Sequence, residues 1–252
     1  MQIVLDGTLT GFRAIHPQEK HTLLILHGWG QSSLNWQNTL DNLPPGITGI
    51  ALDLPSFGGT QPLPNNPGVP EYSNFVKSFI DKQKLKNVTL LGHSFGGQIA
   101  VDFSLRFPKL ISHLILVSPA CIRKLHPGKK SQLAKAAKPL LKVLTPGLYD
   151  HIFKRIASEN YLKSTPTQRE ILNKILYQDY SSKIKDISIP TSIIWGEKDT
   201  TIPYSGKLLA AKIPNSHLHV LYGADHSPHV TFFPKFIFLL NTIIENHVHQ
   251  TI

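Results

Sequence analysis

Three side chains in this sequence have the types and placement that acyl transfer requires. Ser94 stands in Gly92-His93-Ser94-Phe95-Gly96, between an apolar run, Val88 to Leu91, and a helical pattern, Gln98 to Phe107. A serine hydroxyl is a weak nucleophile that attacks a carbonyl only when a base takes its proton. The Gly-x-Ser-x-Gly spacing suits a tight strand-to-helix turn that projects the hydroxyl, with glycines relieving the crowding. The helix behind it aims free backbone N–H groups and a positive dipole end at the reacting centre. The serine still needs a base, and the base an acid to orient it. His226 follows the apolar stretch Leu218 to Tyr222 and Gly223, and Asp199 follows Thr191 to Trp195 and Gly196. The rivals are His229 for the base, and Glu197 and Asp225 for the acid. Glu197 lies earlier in its turn, and Asp225 is bonded directly to the residue it would have to orient.

The elements that must position these groups alternate along the chain. Strands are predicted within residues 2–15, around the turn Asp6-Gly7, and at Thr22 to Leu26, Ile47 to Leu52, 88–91, 113–117, Thr191 to Trp195 and 217–222. Helices are predicted at Ser32 to Leu40, Glu71 to Lys84, 95–107, 204–212 and 230–246. Such alternation gives an α/β fold, a mostly parallel central sheet with helices on both faces. Ser94, Asp199 and His226 then all lie at carboxyl ends of strands, where ligands collect in parallel sheets. The alternation breaks at Ser118-Pro119 and resumes at Pro190. Residues 120–186 read as a helical lid inserted into a core made of residues 1–119 and 187–252.

Charge and composition narrow the function classes. The 252 residues carry 26 Lys+Arg and 16 Asp+Glu, and residues 120–186 hold 14 of the former and 5 of the latter. Nearly all of the +10 net charge therefore sits in the insertion. No helix-turn-helix, zinc-finger or RNP signature accompanies it, so nucleic acid is not the expected partner. No His/Cys/Asp/Glu cluster has metal-ligand spacing, and neither glycine-rich turn has the lysine of a phosphate-binding loop, so neither metal nor cofactor is expected. The only cysteine, Cys121, reads as a small buried residue. With no disulfide framework, no signal-peptide pattern and no apolar run of the roughly 20 residues that span a bilayer, a cytoplasmic, non-transmembrane protein is expected.

Taken together, His27-Gly28-Trp29-Gly30, Asp53 to Gly58, Gly92 to Gly97, Trp195 to Asp199 and Gly223 to His226 resemble, in order and strand context, the small lid-bearing serine hydrolases of the α/β-hydrolase superfamily. The resemblance spans essentially the whole chain. It implies Ser94 as nucleophile, His226 as general base and then acid, Asp199 as its orienting carboxylate, and an oxyanion hole from the backbone N–H groups of Trp29 and Phe95. The implied activity is carboxylic ester hydrolysis through an acyl-enzyme. A C–C bond hydrolase, thioesterase or acyltransferase would use the same triad. Dehalogenase and epoxide hydrolase relatives carry aspartate where Ser94 stands. A non-catalytic binder of small hydrophobic ligands is the alternative of a different class. The sequence departs from the family in the acidity of Asp225, and Ser118-Pro119 occupies the family's other acid position. His27 and His93 read as loop-fixing residues and Asp53 as a tie within its loop. In the insertion, Leu133, Ala136, Ala137, Leu140, Leu141 and Leu144 share one helical face away from Lys135, Lys138 and Lys142. That basic face either meets water or docks an acidic carrier protein, an anionic substrate or an anionic membrane surface. The His27-Gly28-Trp29-Gly30 motif also resembles that of esterases whose acyl substrate rides on a carrier protein.

Overall fold

A computed structural model of the chain describes residues 1–17, 19–122 and 164–250. Its frame is an eight-stranded sheet in the order β1-β2-β4-β3-β5-β6-β7-β8. The strands are β1 (Gln2–Leu5), β2 (Thr8–Ile15), β3 (His21–Leu26), β4 (Ile47–Leu52), β5 (Val88–His93), β6 (His113–Val117), β7 (Thr191–Gly196) and β8 (Ser216–Leu221). β1 and β2 form an antiparallel hairpin and β2 runs antiparallel to β4; every pairing from β4 to β8 is parallel. The mostly parallel α/β fold expected from the apolar runs is the observed one.

The period-2 alternation of strands assigns side chains to two cores. Leu24 and Leu26 of β3, Leu90 of β5, Leu114 and Leu116 of β6, and Ile193 and Trp195 of β7 face one core. It is covered by α2 (Val69–Gln83), α3 (Phe95–Arg106) and α5 (Gly206–Lys212), through Phe75, Phe79, Ile99, Phe103 and Leu209. Leu23, Ile25, Leu91, Ile115, Val117 and Ile194 face the other. Trp36 and Leu40 of the first turn and α1 (Gln37–Asp41), with Phe236, Leu240 and Ile244 of α7 (Phe233–Gln250), cover that side. Because both faces are covered, β4 through β7 are buried along their whole length, which is why they read as continuous apolar runs.

Two predicted helices differ in detail. The stretch from Ser32 begins as a 3₁₀ turn, Ser33–Trp36, before α1. The terminal helix is split into α6 (Pro228–Thr231) and α7, because Phe232 leaves helical geometry and Pro234 lacks the N–H that would continue the ladder. In the β6–β7 connection, α4 (Pro166–Ile175) starts at a capping box. Thr165 Oγ1 accepts from Gln168 N, while Gln168 Oε1 accepts from Thr165 N. Its Ile171 and Ile175 are buried in the first core. The predicted Leu133 to Leu144 helix and most of the basic insertion lie outside the described residues.

Candidate active site

Ser94 sits between β5 and α3 with φ 52° and ψ −111°, a conformation that a residue with a Cβ adopts only under constraint. Hydrogen bonds supply the constraint. Ser94 N donates to the Val117 carbonyl at 3.0 Å, and Ala120 N and Gln98 N donate to the Ser94 carbonyl at 2.9 and 3.1 Å. Neighbouring glycines allow the close approach: a Cβ on Gly92 would strike the Gly96 carbonyl, and one on Gly96 the Leu26 carbonyl. Gly96 N also donates to the His27 carbonyl at 3.2 Å, joining the loop after β3 to the first turn of α3. Trp29 and Phe95 lie on either side of that junction, with ring centroids 5.4 Å apart. Among the described residues neither of their backbone N–H groups has a protein acceptor.

The loops after β7 and β8 bring Asp199 and His226 together. His226 Nδ1 donates to Asp199 Oδ2 at 2.8 Å, and the Asp199 side chain is 1% exposed against 15% for His226. Asp199 Oδ1 accepts from Thr201 N at 2.9 Å and Ile202 N at 3.0 Å. Burial pushes the Asp199 pKa up, but the hydrogen bonds from His226, Ile202 and Thr201 outweigh it and hold the carboxyl below its ordinary value. The rivals are engaged elsewhere. Glu197 accepts from Gly223 N at 2.9 Å. Asp225 accepts from Ser227 N at 2.8 Å and the Thr231 hydroxyl at 2.6 Å, tying the loop after β8 to α6. His229 is buried flat against Trp36 with centroids 4.0 Å apart, and burial with the nearby His226 pulls its pKa down to about 3.

The structure joins Asp199 to His226 directly and Ser94 to His226 through a neighbour. His93 Nε2 donates to the main-chain carbonyl of His226 at 2.9 Å. No hydrogen bond links the Ser94 hydroxyl itself to His226, as is common before a ligand tightens such a site. His27 and Asp53 fix loops, as expected. His27 Nδ1 donates to the Gly28 carbonyl while Nε2 accepts from Leu54 N, and burial pulls its pKa down to about 4. Asp53 accepts from Ser33 N at 2.6 Å and Gly59 N at 2.9 Å. Two contacts had no sequence signal beyond polarity. Trp29 Nε1 donates to the Ser164 hydroxyl at 3.2 Å, and Gln168 Nε2 donates to the Ser56 carbonyl at 2.9 Å. They attach the start of α4 to the loops beside the site. Among the described residues no group of three or more His, Cys, Asp or Glu side chains could hold a metal ion. No helix among them is long and apolar enough to cross a membrane.

Residues 23–234 match the alpha/beta hydrolase family. The chain belongs to that family. Among curated relatives it is 27% identical over 236 residues to a 2-hydroxy-6-oxononadienedioate/2-hydroxy-6-oxononatrienedioate hydrolase of Cupriavidus pinatubonensis, covering 81% of this chain and 80% of that one. The hydrolase of the same name from Escherichia coli K12 is 25% identical over 240 residues, with 83% and 82% covered. Similar solved structures include an esterase from Exiguobacterium antarcticum, with TM-score 0.76, 22% identity and 97% and 98% of the chains covered. A meta-cleavage product hydrolase from Pseudomonas fluorescens has TM-score 0.73, 20% identity and 98% and 97% covered. At those identities the two structures speak for the fold alone.

Proposed function

We propose that the protein is a serine hydrolase in which Ser94 attacks a carbonyl carbon, His226 takes the hydroxyl proton and Asp199 holds His226 in the tautomer this requires. The observation that carries the reading is the 2.8 Å bond from His226 to Asp199. An ionised carboxylate only accepts, so Nδ1 keeps the proton and the Nε2 lone pair is left for the serine. In the first step a bond forms from Ser94 Oγ to the carbonyl carbon, the proton passes to Nε2, and the carbonyl oxygen takes the negative charge. The Trp29 and Phe95 N–H groups are the donors assigned to that oxygen. The bond to the leaving group then breaks as His226 returns the proton to it, and water repeats the cycle on the acyl-enzyme.

Two kinds of bond fit this cycle. The sequence points to carboxylic esters. The curated relatives are named for 2-hydroxy-6-oxo dienedioates, which contain no ester. Hydrolysis at such a 6-oxo group breaks a carbon–carbon bond, so the proton from His226 or solvent must finally reach carbon. Those relatives favour the carbon–carbon reading over the ester reading. The test is kcat/KM on a 2-hydroxy-6-oxo dienoate, followed by loss of its conjugated absorbance, against a series of p-nitrophenyl esters of rising acyl length. Ser94→Ala should abolish both activities and fluorophosphonate labelling. A folded wild-type protein that takes no label would overturn the hydrolase reading in favour of a small-ligand binder.

We further propose residues 120–186 as a lid over this site, a reading supported by the Trp29–Ser164 and Ser56–Gln168 bonds. Its Lys-rich part is assigned to docking an acidic carrier protein or anionic surface. Salt should then slow turnover of carrier-linked acyl esters more than of free ones, and equal effects would refute it. A single, buried cysteine suits a reducing cytoplasm.

A further inference from the structure

The His93 side chain lies at the meeting point of three site loops without belonging to the triad. It ends β5, one residue before Ser94. Its Nε2 reaches the His226 carbonyl at 2.9 Å, and because a carbonyl only accepts, Nε2 carries the proton. That carbonyl has no other partner among the described residues. The opposite edge of the ring abuts Gly28: a Cβ built there would lie 2.9 Å from His93 Nδ1, so only glycine leaves the ring its place. Gly28 directly precedes Trp29. The ring is buried: Gln31 Oε1, which accepts from Gly28 N at 3.0 Å, lies 3.3 Å from its Nδ1, and His229, with its centroid 4.6 Å away at 62°, and Trp36 at 6.2 Å border it. His226 lies at 4.9 Å. Burial, with His229 and His226 nearby, pulls the His93 pKa well below its ordinary value, which favours the neutral ring.

We infer that His93 is a positioning residue: through the hydrogen bond to the His226 carbonyl and its contact with Gly28, one side chain sets the mutual placement of base, nucleophile and the Trp29 amide. Among the described residues His226 is otherwise held only at Nδ1, by Asp199, and a side chain pinned at one ring atom can swing about that bond. Fixing its main chain removes the swing. A misplacement of about 1 Å at a reacting group costs on the order of 100-fold in rate. The inference rests on the triad reading, and its test separates the two.

His93→Met keeps volume without the donor, and His93→Gln places an amide N–H near the position of Nε2. Both should be compared with wild type for fluorophosphonate labelling rate from pH 5 to 9, and for the low-field NMR signal of the His226 Nδ1 proton. Expected are a loss of ~10- to 100-fold in labelling for His93→Met with a displaced pH midpoint, a shifted or broadened Nδ1 signal, and recovery to within a few fold in His93→Gln. A folded His93→Met with the wild-type rate, midpoint and Nδ1 signal would overturn the inference. Equal losses in both variants would overturn the hydrogen bond as its basis. If wild type takes no label, the triad reading fails by itself, and the Nδ1 signal still decides whether His93 positions His226.

Discussion

Replacing Asp199 with Asn should remove activity while leaving the fold nearly intact, because the site dictates which way the new amide faces. One carboxylate oxygen accepts from two backbone donors, Thr201 N at 2.9 Å and Ile202 N at 3.0 Å; the other accepts from His226 Nδ1 at 2.8 Å. Asparagine offers one oxygen and one NH2. Pointing the NH2 at the two backbone N–H groups sets donor against donor and forfeits about 1–3 kcal/mol for the pair. Pointing it at His226 forfeits a single bond, which the imidazole restores by moving its proton from Nδ1 to Nε2. The second arrangement wins. Nε2 then holds a proton where it must accept one from Ser94. A triad locked in that tautomer loses on the order of 10⁴ in kcat. The assay is fluorophosphonate labelling together with turnover of the better substrate class, with thermal melts of both proteins alongside. The expected outcome is a rate loss of roughly 10³- to 10⁴-fold and a stability loss of no more than ~3 kcal/mol. Activity within tenfold of wild type would refute the role given to Asp199. An unfolded variant would refute the amide orientation.

Other perturbations test the frame around the site. His27, His113 and His229 are held neutral by burial, with pKa values drawn from 6.5 to about 4, 3 and 3. Below pH 6.5 the unfolded chain therefore binds protons that the folded chain refuses, and stability falls as pH drops. At pH 5.5 the loss is about 1.4 kcal/mol for each histidine, ~4 kcal/mol for the three, so thermal melts should drop steeply between pH 6.5 and 5; a flat profile would count against burial of these rings. Gly96→Ala would drive a methyl group into the Leu26 carbonyl; a stability loss of ~3 kcal/mol or more and loss of labelling are expected, and a wild-type melt would contradict the turn geometry. Cys121 is fully buried, so a thiol reagent such as DTNB should react only on unfolding, and rapid titration in the native protein would show the site to be open.

What was legible in the sequence follows from where the information lies. Parallel strands buried on both faces must be apolar along their length, so Leu23 to Leu26, Val88 to Leu91 and Leu114 to Val117 announced themselves. Ser94, Asp199 and His226 were legible as candidates because each stands in a short motif at the end of such a run. The partner of His93 was not, because it lies 133 residues away and depends on the strand order β5-β6-β7-β8, which apolar runs do not encode. The same holds for Trp29 and Ser164, 135 residues apart. The acidity of Asp225 stood out in the sequence as a departure from the family, and in the structure its carboxylate bonds locally, to Ser227 N and the Thr231 hydroxyl.

These observations divide the labour of the molecule. A residue held at φ 52° costs of order 1–3 kcal/mol, and it persists because β5 is buried from end to end and its neighbours supply three main-chain hydrogen bonds to Ser94. Asp199, His226 and the Gly28-Trp29 junction are likewise anchored to sheet ends, His226 through β5 itself by way of His93. The groups assigned to acyl transfer thus depend on the sheet, where a shift would disturb two cores at once. Among the described residues, the connection between β6 and β7 meets that machinery through Ala120, whose N–H donates to the Ser94 carbonyl at 2.9 Å, and through Ser164 and Gln168.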